Sequence, residues 1–278
     1  MTESARVPIP EGHEPQFVFI CGPVGCGNSF LFRCLTEDTG NYGIDEGNIG
    51  GTLRRLTESE RNIVRCPHAR EAFVNFMHSL AADRHTFIEK SPSNIRHQSF
   101  LRETLDTVHF IFTVREPHAA IVSGLSGRTL VKDTEHVARL WRSDCELITN
   151  ASPGDIIVIY DDFVRDPTPT LNRISENVLP LSDNVYRFAN RMTRPDRSDT
   201  SRWRSRIDRA TAEEIEYWVR ELGLDTMFAS FRGGGQPSTP ALSHPTPASL
   251  IFQRARAQFF NLYYRRHSKN RLSPRGGA

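Results

Sequence analysis

Phe17-Val18-Phe19-Ile20-Cys21-Gly22-Pro23-Val24-Gly25-Cys26-Gly27-Asn28-Ser29-Phe30-Leu31 is an apolar strand, a glycine-rich turn and the opening of a helix, in that order. The run from Phe17 to Cys21 suits a strand covered on both faces. Glycines at 22, 25 and 27 let main-chain N–H groups approach an anion closely, and a helix over 28–36 adds the positive end of its dipole. The spacing from Gly22 through Gly27 to Ser29 fits the phosphate-binding pattern G-x-x-x-x-G-[K]-S, with Asn28 in the lysine position. That lysine reaches the β- and γ-phosphates of a nucleoside triphosphate. Its absence argues against ATP or GTP chemistry and for a nucleotide with another terminal group.

Three further apolar runs read as buried parallel strands: 86–88, 108–114 and 156–160. Helical patterns lie between and after them, over 67–82, 94–104, 117–125, 134–149 and 168–178. Alternating strands and helices predict an α/β fold, a three-layer parallel sheet with helices on both faces, and ligands beyond the C-terminal strand ends. A further helix is expected over 211–222, with Thr211 as N-cap and Gly223 closing it. Residues 37–66 are rich in glycine and polar residues and are expected to form a long loop with a short helix. With 124–135 and 183–200 it would line an acceptor pocket. The expected organisation is a flexible N-terminus (1–16), one α/β domain (17–232), and a Gly/Pro linker with a basic, aromatic C-terminal helix (233–278).

A chain of 278 residues with 24% charged residues and a net charge of +2 is an ordinary globular protein, without the basic excess of a nucleic-acid binder. The charge is nonetheless uneven. Seven arginines, one lysine and no acid follow Asp225, so residues 226–278 carry +8 and the rest −6. Phe252, Phe259 and Tyr263 fall at helical spacing in that tail. It fits peripheral contact with an anionic membrane or polyanion, or packing on the domain or on a second copy in a homodimer. The cysteines (Cys21, Cys26, Cys34, Cys66, Cys145) are odd in number and lack C-x-x-C spacing, which suggests reduced thiols in the cytoplasm and no zinc site. No apolar signal core or membrane-length run is present.

Two strand ends carry chemistry. Glu89-Lys90-Ser91-Pro92 sets a carboxylate beside an ammonium, a base and a charge stabiliser. Lysine is scarce (only Lys90, Lys132 and Lys269), which singles out Lys90. At the next strand end, Arg115 precedes Ser123 by eight residues, with Pro117 in the first turn of a helix between them. An arginine fork and a serine hydroxyl so arranged can share one phosphate. This strand ends in Arg-Glu, with no aspartate for magnesium, so phosphoryl transfer is poorly supported.

Taken together, these segments resemble sulfotransferases that use 3′-phosphoadenosine 5′-phosphosulfate (PAPS), whose fold is related to that of P-loop kinases. Gly25, Cys26, Gly27, Asn28, Ser29 and Phe30 resemble the loop that binds the 5′-phosphosulfate, and Arg115 with Ser123 the pair that binds the 3′-phosphate. Glu89-Lys90-Ser91-Pro92 resembles the Glu-Lys-(Ser/Thr) element of carbohydrate sulfotransferases. Tyr160 to Pro167 resembles a structural segment of the family, and Arg202-Trp203-Arg204 the late element that covers the 3′-phosphate. The family's basic residue two positions before the loop glycine is here Gly25, and Lys90 is the favoured replacement.

The resemblance implies in-line sulfuryl transfer to a hydroxyl or amine of a carbohydrate or small metabolite, without a metal. Glu89 would be the base, with His97 and His118 as substitutes, and Lys90 and the loop amides would stabilise charge. The alternatives are a divergent P-loop nucleotide kinase and a nucleotide- or glycan-binding homologue impaired by the loss at position 25.

Overall fold

The computed structural model describes residues 16–37, 41–58, 69–81, 86–105, 107–126, 133–149, 151–193 and 200–233. All of these fall within one compact unit, Met1–Pro237. The basic C-terminal segment, Lys132 and Cys66 lie outside the described residues.

A five-stranded parallel sheet forms the centre: β1 (Gln16–Cys21), β2 (Asn41–Asp45), β3 (Thr86–Lys90), β4 (Val108–Val114) and β5 (Ile156–Ile159). Their order is β2-β3-β1-β4-β5, and every neighbouring pair is parallel. Side-chain alternation divides the core between two faces. Phe17, Phe19, Phe87, Phe110 and Phe112 fill one, whereas Val18, Ile20, Ile88 and Ile111 fill the other.

The second face is covered by α1 (Asn28–Leu35), α8 (Thr168–Asn177) and α9 (Asp183–Met192), through Leu31, Leu35, Leu171, Ile174, Val185 and Ala189. On the first face lie α5 (Pro117–Ser126), α6 (Thr134–Ile148), α10 (Arg209–Glu221) and α11 (Leu224–Arg232). The 3₁₀ segment Pro92–His97 and α4 (Gln98–Thr104) join them there through Ile95 and Leu101. The remaining helices are α2 (Ile49–Glu58), α3 (Ala69–Ala81) and the single turn α7 (Tyr160–Phe163). No described helix is long and apolar enough to cross a membrane.

Three sequence expectations need correction. Within 37–66 the chain forms a fifth strand, β2, and a full helix, α2, where a loop with a short helix was expected. Gly43 is needed in β2 because a Cβ there would press into the Phe32 ring at 2.8 Å. The 183–200 stretch, expected as loop, contains α9. Helix α10 is capped by Asp208, which accepts the Thr211 N–H at 2.9 Å, so it starts two residues before Thr211.

Candidate active site

The loop Gly22–Gly27 joins β1 to α1 at the C-terminal edge of the sheet. Gly22, Gly25 and Gly27 have φ of 150°, 85° and 91°. At Gly25 a Cβ would run into the Ala120 carbonyl of α5 and come within 3.1 Å of the Ser123 Cβ; at Gly27 it would overlap the Tyr160 ring. Position 25 therefore has no room for the family's lysine or arginine.

Asn28 is buried and faces inward. Its Nδ2 donates to the carbonyls of Gly22 and Pro23, both at 3.3 Å, and its Oδ1 accepts the Thr113 hydroxyl at 2.5 Å. A neutral staple thus occupies the position where a lysine would reach toward γ-phosphate. Cys26 is also turned into the core, where burial pushes its thiol up to about 12, and its N–H is spent on the Pro23 carbonyl. The Phe30 N–H bonds the Gly27 carbonyl at 2.9 Å. Of the six loop residues expected to bind the cofactor, Gly27, Asn28 and Ser29 make no main-chain hydrogen bond through N–H among the described residues. At a helix N-terminus, such groups form a cradle for an anion.

Arg115 and Ser123 both converge on Gly25. The Arg115 Nη1 donates to the Gly25 carbonyl at 3.3 Å, and the guanidinium lies 4.8 Å over the Tyr160 ring. Its Nε is buried with no hydrogen-bond partner among the described residues, 3.8 Å from Asp161 Oδ1. Asp161 in turn accepts the Glu116 N–H at 2.9 Å, and burial raises its carboxyl despite that bond and the nearby arginine. The Ser123 side chain is half-buried, and its Cβ lies 3.1 Å from where a Cβ on Gly25 would stand.

Trp203 stacks on His118 at the start of α5, with ring centroids 4.9 Å apart. Arg204 pairs with Glu216 and lies 5.1 Å over Trp203, while Arg202 is exposed. The 200–206 segment is thereby tied to the helix that carries Ser123. His118 Nδ1 contacts Glu116 and lies 4.0 Å from Asp225, while its Nε2 faces Glu216 at 3.6 Å. Burial alone would lower its pKa; the Glu116 hydrogen bond and the surrounding carboxylates outweigh that and raise it. Ligand-type atoms of Glu116, His118 and Asp225 lie within 4.8 Å of one another. This proton-holding cluster fits an imidazolium as well as it would a metal.

Glu89 and Lys90 do not act on one point. As neighbours in a strand they leave the sheet on opposite faces. Glu89 is 0% exposed; Ser91 Oγ donates to its Oε1 at 2.5 Å and Asn94 Nδ2 to its Oε2. Burial raises its carboxyl to about 7, with Ser91 and the other donors opposing. Lys90 lies on the α1 face, 1% exposed, and its Nζ is 2.6 Å from Asp45 Oδ1 and 2.8 Å from Glu46 Oε1. The expected base is sealed, and the expected replacement cation is already paired. Sequence reading missed Asp45, Glu46 and the loop-packing role of Tyr160.

Residues 44–178 match the family model described as Sulfotransferase family. This stretch is a sulfotransferase-family sequence, and the sheet order and helix layers around it are those of a sulfotransferase with a P-loop-kinase-like fold. The sulfotransferase domain of the Synechococcus PCC 7002 olefin synthase is similar at 17% identity and TM-score 0.51, over 80% of this chain and 98% of that one. Sulfotransferase STF1 of Mycobacterium tuberculosis H37Rv gives 14% identity and TM-score 0.48, over 75% and 76% of the two chains. STF9 of Mycobacterium avium gives 12% and 0.48, over 77% of each. No curated protein sequence matches this chain. The β1–loop–α1 unit lies before the family match, so its reading rests on its own geometry.

Proposed function

We propose that this sulfotransferase moves the sulfuryl group of PAPS to an acceptor hydroxyl or amine on a small molecule or carbohydrate. One observation carries the reading: amides of Gly27, Asn28 and Ser29 that make no main-chain hydrogen bond among the described residues, together with Arg115 and Ser123, gather around the same loop. In the proposed complex the amides hold the 5′-phosphosulfate, and Arg115 and Ser123 hold the 3′-phosphate. The second group supplies binding energy remote from the reacting centre. The amide cradle and helix dipole supply fixed positive potential where charge develops on the departing phosphate. Arg202, Trp203 and Arg204 cover the nucleotide from the α5 side. Glu89 has no open oxygen in this arrangement, so the acceptor's proton must go elsewhere.

The inward Asn28 speaks against the kinase alternative, because it fills the space a triphosphate-reading lysine needs. Calorimetry with adenosine 3′,5′-bisphosphate, ATP and AMP tests the proposal. Tight binding of the bisphosphate alone is expected, and Arg115→Ala should weaken it by roughly ten- to a hundredfold, the worth of hydrogen bonds to a charged group. Equal affinity for ATP, or an Arg115→Ala variant that binds normally, would reject it.

A further inference from the structure

Asp161 and Arg115 face each other at the end of the sheet, each with a buried polar atom left unpaired. The register of β4 and β5 explains the meeting. Val114 pairs with Ile159, so the two chains leave their strands side by side, Arg115 next to Tyr160 and Glu116 next to Asp161. The turn α7 then fixes the acid: the Val164 N–H donates to the Tyr160 carbonyl at 2.9 Å, and the Asp166 N–H to the Asp162 carbonyl at 3.0 Å. Asp161 is 2% exposed, and its Oδ2 accepts the Glu116 N–H at 2.9 Å. The carboxylate thereby grips the main chain one residue after the arginine.

Its other oxygen is not yet engaged. Asp161 Oδ1 and Arg115 Nε are both sealed from solvent, neither has a hydrogen-bond partner among the described residues, and they stand 3.8 Å apart. That gap is about 0.9 Å longer than an ordinary N–H···O bond. A buried donor and a buried acceptor left open opposite one another are uncommon, because each has given up water without a replacement. The guanidinium is held elsewhere by the Gly25 carbonyl on Nη1 and by the Tyr160 ring under its face. With Nε sealed, a ligand arriving from solvent is left the Nη end of the fork.

We infer that Asp161 is a positioning residue for Arg115 and sets which ribose phosphate the site accepts, an assignment that rests on the PAPS reading above. When a nucleotide fills the site, water leaves, the local dielectric falls, and the attraction between carboxylate and guanidinium strengthens. Oδ1 closes onto the Nε–H while the Nη hydrogens meet the phosphate. An arginine fixed at Nε, at Gly25 and on the Tyr160 ring has one place for a phosphate oxygen. It separates a 3′-phosphate from a 2′-phosphate by geometry, since the two isomers carry the same charge. Asp161 itself touches no ligand. Its negative charge alone would weaken anion binding, so its value beside a phosphate-binding arginine lies in orientation.

The test is calorimetry with adenosine 3′,5′-bisphosphate and adenosine 2′,5′-bisphosphate. Wild-type protein is expected to prefer the 3′-isomer. Asp161→Asn keeps the volume and an acceptor for the Glu116 N–H, and should lower that preference about tenfold, the worth of one hydrogen bond to a charged group. Comparing isomers cancels the general gain in anion affinity that follows removal of a carboxylate, and a merely structural loss would weaken both alike. In an Arg115→Ala background, Asp161→Asn should leave the preference where Arg115→Ala alone puts it, because the acid acts through the arginine. A crystal structure of the wild-type 3′,5′-bisphosphate complex adds a check that needs no variant: Nε is expected within about 3 Å of Oδ1, with the phosphate on the Nη atoms. An unchanged isomer preference in folded Asp161→Asn, or a phosphate bound on Nε, overturns this inference alone. So does wild-type protein that binds both isomers equally well. Wild-type protein that binds neither bisphosphate overturns the PAPS reading, and this inference with it.

Discussion

The Arg115 guanidinium lies 4.8 Å above the Tyr160 ring, and that ring fills the space in front of Gly27. Tyr160 thus separates the arginine proposed for one phosphate from the amides proposed for the other. It is also met edge-on by Phe30, with centroids 6.2 Å apart, so the first turn of α1 leans on it. A cation over an aromatic face contributes about 0.5–2 kcal/mol, depending on desolvation.

Tyr160→Ala is therefore expected to weaken adenosine 3′,5′-bisphosphate binding by about tenfold, roughly 1.4 kcal/mol. Tyr160→Phe keeps the ring and should bind as the wild type does. Calorimetry on both variants separates ring packing from any role of the hydroxyl.

Gly25 makes a second prediction, because it replaces the basic residue usual at that position of the family. Restoring it by Gly25→Lys is expected to damage the protein. The backbone is left-handed at φ 85°, and a Cβ collides with the Ala120 carbonyl and crowds Ser123. Strain and overpacking of this kind cost about 1–3 kcal/mol each. Thermal melting should fall by several degrees, and transfer should not improve. A faster, equally stable Gly25→Lys enzyme would show that α5 can move aside.

Much of this was legible in the residues. Strands β1, β4 and β5 are continuous apolar runs, and the glycine turn after Cys21 fixes where α1 begins. Strand β2 was not, because an edge strand with Gly43 at its centre offers only Tyr42 and Ile44 as apolar residues. Helix α9 escaped for a similar reason: it buries only Val185 and Ala189. The separation of Glu89 from Lys90 follows from strand alternation once β3 extends to Lys90, but reading the strand as ending at Ile88 hid it. The link from Lys90 to Asp45 and Glu46 spans over forty residues and depends on β2 pairing with β3, which no local pattern encodes.

The His118 cluster gives a pH dependence. His118 is raised from its ordinary 6.5, so the charged form is favoured in the folded state. Its stabilisation is complete below 6.5 and is lost as pH rises through the higher folded value. Asp225 is raised from 3.8 by burial and then by Glu116 and Glu216, with His118 opposing, so its contribution also favours the acid side. Glu89 behaves likewise, but its window closes near 7. The melting temperature should fall as pH rises above 6.5. His118→Asn should flatten that slope while leaving the part below 6.5 that belongs to Glu89. An unchanged slope would mean that Glu116, Glu216, Asp225 and Arg204 balance without the imidazolium.

The staple between Thr113 and Asn28 predicts how loop shape and affinity are coupled. Thr113 is buried at the end of β4, and its hydroxyl donates to Asn28 Oδ1 at 2.5 Å, while Asn28 Nδ2 donates to the Gly22 and Pro23 carbonyls. Thr113→Val keeps the volume and removes the donor, leaving a buried acceptor unpaired at a cost of about 1–3 kcal/mol. For a domain of this size each kcal/mol lowers the melting midpoint by about 2–4 °C. If the staple only holds the fold, bound nucleotide should recover that loss without a change in affinity. If it also sets the amides of Gly27, Asn28 and Ser29, bisphosphate affinity should fall together with the melting point. Thr113→Ser, which returns the hydroxyl, should restore both. The second outcome is expected, because the bond that Thr113 makes ends on the first residue of the helix whose N–H groups form the cradle.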